Sequence, residues 1–540
     1  MRRRFAVAAS GVPGGTRQVM SVLQVLLVAG LILLSAVIMG LVAAFGSVKF
    51  AVLLAAALLG AGLLALPVPM LMGVMVFTAF VVVGQLFYFA GMGQAVWIVF
   101  GFGLLLFVKW LLLSFNSAQP LRVDALSALV WLFLLAVLLS VVLNLPPVLQ
   151  AVAGGKNLVA IWGVFFIVAA GSMSTRAMYR VWQAFFWLLL FQVPLVLYQY
   201  LVVAPSRTRF GATTGGVEWD AVVGGFGGDP DGGGYSGGMA FFVCVAIAFA
   251  VAAYRRGLIG PGRLAVALLA GALCVGLAEV KVVVVLLPVA ALAMFAPELF
   301  KRPLLALLGI PASLVLALGV LVAYESVHYG NSGPTSSSPA EIVERAFSYS
   351  LDPDQINFRS GEMGRVAAVK HWWMEHDWSD PARLLFGHGP GASRGTSIVG
   401  AGEAARRYPF LIDRSAATQI LWDIGLFGFL CYFGLCVVAA IKALRLSRVP
   451  GLVAEEAAML QASAAGLAML LVMLFYGRDP LEAPAVALLI ALMLGFVAWQ
   501  GKRLRLCERG GSRESRSVGS GGGAVAKTAS GQNRALHSHL

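Results

Sequence analysis

Leu384–Gly434 reads LLFGHGPGASRGTSIVGAGEAARRYPFLIDRSAATQILWDIGLFGFLCYFG, a polar, glycine-rich segment that runs directly into a hydrophobic helix. Gly387, Gly389 and Gly391 alternate with His388 and Pro390, so the backbone can turn sharply and offer its N–H groups to an anion. The same residues also suit a plain connector. Outward from this stretch, in both directions, the chain is mostly apolar.

Hydrophobic residues make up 60% of the 540 positions and charged residues 12%, with a mean hydropathy of +0.87. A soluble globule carries about 25% charged residues, so the composition describes an integral membrane protein. Apolar runs of about 17–25 residues, long enough to cross a bilayer, recur from Val19 to Gln500. The expected fold is an all-α polytopic membrane protein, a bundle of about 12–14 transmembrane helices with one large periplasmic loop.

Short loops rich in Lys and Arg stay cytoplasmic. With the N-terminus inside, Arg2–Arg4, Arg122, Arg176, Arg180, Arg255, Arg256, Arg263, Lys301, Lys442, Arg445 and Arg448 share the cytoplasmic side. The other face holds few cations: Lys49, Lys156, Arg207, Arg209, Lys281 and Arg478. Anionic lipid accounts for the net charge of +14, and no nucleic acid is implied. The boundaries that follow are a cytoplasmic N-terminus at 1–18 and a bundle at 19–324, with an external loop at 204–236. A large periplasmic loop at 325–414 carries an interfacial helix, C-terminal spans occupy 415–500, and a disordered cytoplasmic tail fills 501–540.

Several segments have two readings. Arg207 and Arg209 stand where the 204–236 loop leaves the membrane, as ligands or as headgroup anchors. The run DPDGGG there lacks an EF-hand's terminal glutamate, since its twelfth position is Ala240, and reads as a turn. Lys281, two residues after Glu279 between two apolar helices, is a charge that lipid disfavours. It is a polar-site cation, or an ion-paired or snorkelling side chain. MGRVAAVKHWWMEHDW, Met363–Trp378, is an amphipathic helix whose Trp372, Trp373 and Trp378 suit the membrane interface or a small soluble core. Pro146–Asn157 reads as an external joint.

Together, the layout, the segment FGHGPG at Phe386–Gly391 and the later QILWDIGLFG at Gln419–Gly428 resemble the O-antigen ligase and Wzy-type polysaccharide polymerase superfamily. GRVAAVKHWW is similar to the Arg-led helix those proteins place before the glycine loop, and AEVKVVVVLLP lies where they often carry a Ser-Arg pair. One departure is clear: Arg414-Ser415 stands where members commonly show His-Asn.

The resemblance implies a glycosyltransferase in the bacterial inner membrane that moves a glycan from undecaprenyl diphosphate to an acceptor hydroxyl, on another glycan or on lipid A core. Polysaccharide-assembly proteins would be further partners. The leaving group is already activated, so the chemistry needs cations and positioning. Arg209, Lys281 and Arg414 are the expected diphosphate ligands, with His388 or His371 as base. No metal or cofactor is expected: the first external joint, GSVK, lacks the acidic residue of metal-dependent oligosaccharyltransferase-type enzymes. Two other classes stay open, a transporter or flippase and an assembly subunit without catalysis.

Overall fold

The computed structural model describes residues 59–115, 124–204, 221–228, 234–278, 280–301, 348, 350–357, 361–396 and 400–520, with backbone alone for 296, 297, 299–301 and 506–520. The earliest expected spans, the run Pro303–Tyr324, the first part of the large loop and Arg207 and Arg209 lie outside these residues. Two compact units are distinguished, Met1–Leu71 and Met72–Leu540, and the second carries every contact discussed below.

Among the described residues, nine helices are long and apolar enough to cross a membrane, which makes the chain a polytopic all-α protein. The helices are α1 (Val68–Ala90, with a π-helical turn at Thr78–Val82), α2 (Val96–Phe115) and α3 (Ala125–Asn144). Next come α4 (Val148–Val159), α5 (Trp162–Ala169) and α6 (Thr175–Tyr198, continued by a π turn at Gln199–Val203). Then follow α7 (Ser236–Arg255), α8 (Pro261–Leu277) and α9 (Val283–Lys301). The large loop holds α10 (Arg365–Glu375), α11 (Pro381–Phe386) and two short hairpins, β1–β2 (Ile356–Asn357 with Glu362–Met363) and β3–β4 (Gly395–Thr396 with Gly400–Ala401). The chain closes with α12 (Ala416–Leu446), α13 (Ala454–Tyr476), the short α14 (Asp479–Glu482) and α15 (Pro484–Ser520).

Helix starts follow local chemistry. The Asp124 carboxylate accepts the Ser127 N–H at 3.1 Å, the Ser174 hydroxyl accepts the Ala177 N–H at 3.2 Å, and Ser415 and Thr418 form a capping box on α12. Lipid offers no hydrophobic drive between helices, so close packing depends on small residues. Where α2 meets α5, a Cβ on Gly163 would fall 1.9 Å from the Gly103 carbonyl oxygen, which only glycine permits. Helices α7, α13 and α15 are buried along most of their membrane length, whereas α2 and α6 face outward.

Cross-links sort the helix ends into two sets. Lys442 on α12 meets Asp124 before α3, and Arg503 on α15 meets Glu456 on α13 together with Thr175 on α6. Gln461 reaches the Met294 carbonyl, which brings the end of α9 to this side. The opposite end gathers Tyr476, Asp479 and Ser236–Gly237 with the large loop. Among the described residues, Lys442, Arg176 beside Thr175, and Arg255, which pairs with Glu298 near the end of α9, thus share one end of the bundle.

Four segments differ from expectation. The joint at 146–157 contains a helix, α4, which turns Gln150, Gly154 and Asn157 inward. Within the 204–236 loop, residues 221–228 do not lie outside but are buried against the bundle. Gln199 accepts the N–H groups of Val223 (2.9 Å) and Gly224 (2.7 Å) and donates to the Gly224 carbonyl (2.9 Å). Gln192 accepts the Gly225 N–H at 2.6 Å, and the Tyr88 hydroxyl donates to the Ala221 carbonyl at 2.6 Å. Two glutamines therefore satisfy non-helical backbone that is buried inside the protein, away from water. Trp372 packs inside a loop core with Ala392, Ala404, Ile412, Leu421 and Trp422, because α10 turns it inward with Ala367 and Ala368. Lastly, α15 continues to Ser520, past the boundary drawn at 500, and 521–540 lie outside the described residues.

Candidate functional site

The Asp423–Gly425 stretch is the pivot. Gly425 has φ 74° and ψ −174° inside α12, a conformation that costs an L side chain dearly and breaks the helical ladder. The carbonyls of Trp422 and Asp423 then accept the N–H groups of His388 and Gly389, both at 2.9 Å. The Ser140 hydroxyl donates a further bond to the Asp423 carbonyl at 2.8 Å. The Asp423 carboxylate accepts Gly391 N–H at 2.9 Å and Ser393 N–H at 2.8 Å, and Asn144 donates to the Gly387 carbonyl at 3.1 Å. The glycine loop is therefore laid backbone-to-backbone on the broken helix. A Cβ on Gly387 would stand 2.6 Å from the Asp423 carbonyl carbon, and one on Gly425 would stand 2.4 Å from Leu385. Of the N–H groups that the glycine loop offers an anion, those of His388, Gly389 and Gly391 are spent on α12 and that of Gly387 on the Arg383 carbonyl.

Charge collects just beyond the loop. Arg394, the residue after Ser393, is ion-paired with Glu482 of α14. Arg478, in the joint between α13 and α14, binds Asp413 at 2.9 Å and lies 3.7 Å from the second Glu482 oxygen. Both carboxylates are buried. Burial, then the neighbouring Arg478, pulls Arg394 below the ordinary arginine value. Burial acts the same way on Arg478, but the Asp413 ion pair outweighs it and holds Arg478 above. Both remain cations at neutral pH. Lys156 of α4 adds a third positive charge within electrostatic reach of Arg394. Its ammonium donates to the Asn157 side chain at 2.5 Å and sits over the rings of Trp97 and Phe100, 5.3 and 5.1 Å from their centroids. Tyr235 lies in the same field, its phenol pushed up by burial and drawn back by Arg394 and Arg478.

The residues singled out from sequence go elsewhere. Arg414 donates to the Met363 carbonyl at 3.1 Å and pairs with Glu362 at 3.3 Å, so it clasps the β1–β2 hairpin. Lys281 is half-buried in the turn before α9, and Arg209 lies outside the described residues. His388 is buried against Trp422, ring centroids 5.7 Å apart, and its Nδ1 has no hydrogen-bond partner. Burial, reinforced by Arg407 and Arg383, lowers its pKa to about 4. His371 packs edge-on against Tyr408 (4.6 Å) and Phe410 (5.1 Å), and burial lowers its pKa too. Both rings are neutral members of an aromatic core. Their surroundings disfavour the general-base role expected of them.

Arg394, Arg478, Glu482 and Asp413 were missed as a group. A signal existed: Arg394 follows the glycine loop within ASRGT, and Arg478 occupies a very short joint between two apolar helices. What no spacing conveyed is that α14 folds Glu482 between them. Against protein-family models the chain gives no match, and no curated protein is similar enough to it to assign a relative.

Proposed function

We propose that the chain is a membrane glycosyltransferase that takes a glycan from a polyprenyl diphosphate and passes it to an acceptor hydroxyl, as a polymerase or a ligase of an envelope polysaccharide. The observation that carries this reading is the cluster of Arg394, Arg478 and Lys156 beside a loop pinned to a broken helix, at the end of the bundle that holds the large loop. Arg394, about one third exposed, meets the diphosphate first and exchanges part of its contact with Glu482 for phosphate oxygens. Arg478 stays on Asp413 and holds the recess in shape. As the glycosyl–oxygen bond breaks, its electron pair goes to the diphosphate, whose charge the cations stabilise. The acceptor oxygen bonds to the anomeric carbon, and its proton passes to a carboxylate of the recess or to solvent.

The test is glycan transfer from a purified polyprenyl-diphosphate donor by the membrane-reconstituted protein. Arg394→Met is expected to lower transfer per folded protein at least 100-fold, beyond the stability it costs by leaving the buried Glu482 to Arg478 alone, and Arg394→Lys, which keeps a cation on Glu482, to retain a fraction. Full transfer by Arg394→Met would overturn the site. Deleting the protein in its host separates the two forms of the reaction: single repeat units accumulate without a polymerase, and long chains stay on carrier lipid without a ligase. One observation favours a non-catalytic assembly subunit instead, namely that both candidate base histidines are enclosed in an aromatic core. Unchanged glycans after deletion would count against both readings.

A further inference from the structure

Helix α10 has two unlike faces. Ala367, Ala368 and Trp372 point into the loop core, while Trp373 and Met374, 59% and 67% exposed, point away from it. Trp378 joins them, its ring 4.4 Å from that of Trp373 and its indole N–H donating to the Trp373 carbonyl at 3.3 Å. The next helix, α11, leaves Leu385 exposed.

The setting of this ridge identifies what covers it. Helix α11 packs on α3 and α12, and Asn144 at the end of α3 bonds the carbonyl of Gly387 immediately after α11. That end of α3 continues into an exposed apolar strip, Leu143, Leu145, Val148 and Leu149, on the surface of spanning helices. The ridge thus adjoins the lipid-facing belt. Its charges stay at the rim: Asp380 caps α11 and pairs with Arg383, Lys370 binds Asp354, Asp377 accepts from Ser379, and Glu375 accepts from the Tyr408 hydroxyl at 3.5 Å. Exposed tryptophans rimmed by polar and charged groups are the composition of a headgroup-level contact.

We propose that Trp373, Met374, Trp378 and Leu385 form a wedge that enters the headgroup–acyl boundary of the leaflet on the loop's side and holds the large loop against the bilayer. For the function proposed above, this keeps the Gly387–Gly391 loop level with a lipid-borne diphosphate. The wedge itself is tested without donor or acceptor, so its failure would leave the glycan reading standing.

The full chain, freed of native cysteines, receives a single cysteine as Trp373→Cys, or separately as Trp378→Cys, and is labelled with an environment-sensitive fluorophore in phospholipid nanodiscs. Asp354→Cys, on the exposed partner of Lys370, serves as reference. Labels at 373 and 378 are expected to emit to the blue of the reference, to resist iodide, and to be quenched by phospholipids carrying a nitroxide near the headgroup. Emission and iodide quenching equal to the reference at both positions would overturn the wedge. So would a label that responds instead to added soluble oligosaccharide, or to protein concentration, because the ridge would then belong to a glycan or to a second copy of the chain. The two sites are separate exposed positions, so misfolding of one variant leaves the other to decide.

Discussion

The two ends of the bundle both bury carboxylates, yet they treat them differently. At the end away from the large loop, Arg503 grips Glu456 with both guanidinium nitrogens and Thr175 adds a bond at 2.8 Å. Asp124 there takes Lys442 (2.7 Å), the Ser127 hydroxyl (2.7 Å) and Ser127 N–H, with Lys502 at 3.9 Å. At the loop end, Asp413 has one oxygen on Arg478 while the other, buried, has no hydrogen-bond partner among the described residues, and Glu482 is shared between two arginines. A saturated cluster is a clasp, because any rearrangement would strand a buried charge, and the Glu456 and Asp124 clusters together join five helices, α3, α6, α12, α13 and α15. An incompletely satisfied one can exchange partners, which is what a binding site must do.

The sharpest way to break this contrast is at the loop end's backbone. Gly425→Ala places a methyl 2.4 Å from Leu385 at a φ of 74°, and is expected to cost about 3 kcal/mol or more and to abolish assembly of the loop on α12. Protease resistance of residues 361–414 in membranes measures this, and wild-type resistance would show that the loop does not need the helix break.

Next comes the clasp. Glu456→Ala leaves Arg503 facing a buried site and should lower stability by about 3 kcal/mol, read as thermal unfolding in detergent, without changing the intrinsic activity of the folded fraction. Arg394→Met should instead lower the turnover of the folded fraction, beyond the stability it costs by leaving Glu482 to Arg478 alone. If Glu456→Ala instead reduced turnover while leaving stability intact, the two ends would not have separate roles.

The smallest effect separates the ends by pH. His388 has a folded pKa of about 4 against an unfolded value near 6.5, so the unfolded loop binds the extra proton. Its contribution is fully present above pH 6.5 and is lost as pH falls from 6.5 to 4, about 2 kcal/mol of it by pH 5. Opening of the loop core, followed by exchange protection of the Trp422 region, should show this slope, and His388→Phe should flatten it. A slope unchanged in His388→Phe would assign the effect to His371 or His376, whose pKa values burial also lowers.

Much was legible without coordinates. Hydropathy and run length require spanning helices, and the charge asymmetry groups the helix ends that the ion pairs bring together. The glycines of Phe386–Gly391 were readable as a sharp turn because their effect is local, confined to a turn or two of chain. Only the tertiary structure decided who receives those local groups. It spends the glycine-loop amides on Asp423 and the carbonyls beside it, sends Arg414 to β2, folds residues 221–228 back onto Gln192 and Gln199, and gathers Lys156, Arg394 and the Arg478–Glu482 pair from three distant segments. Hydropathy measures the cost of placing a residue in lipid, a property of the residue alone. A buried charge is settled by whichever partner the fold brings within about 4 Å, and that distance is written nowhere in the order of the chain.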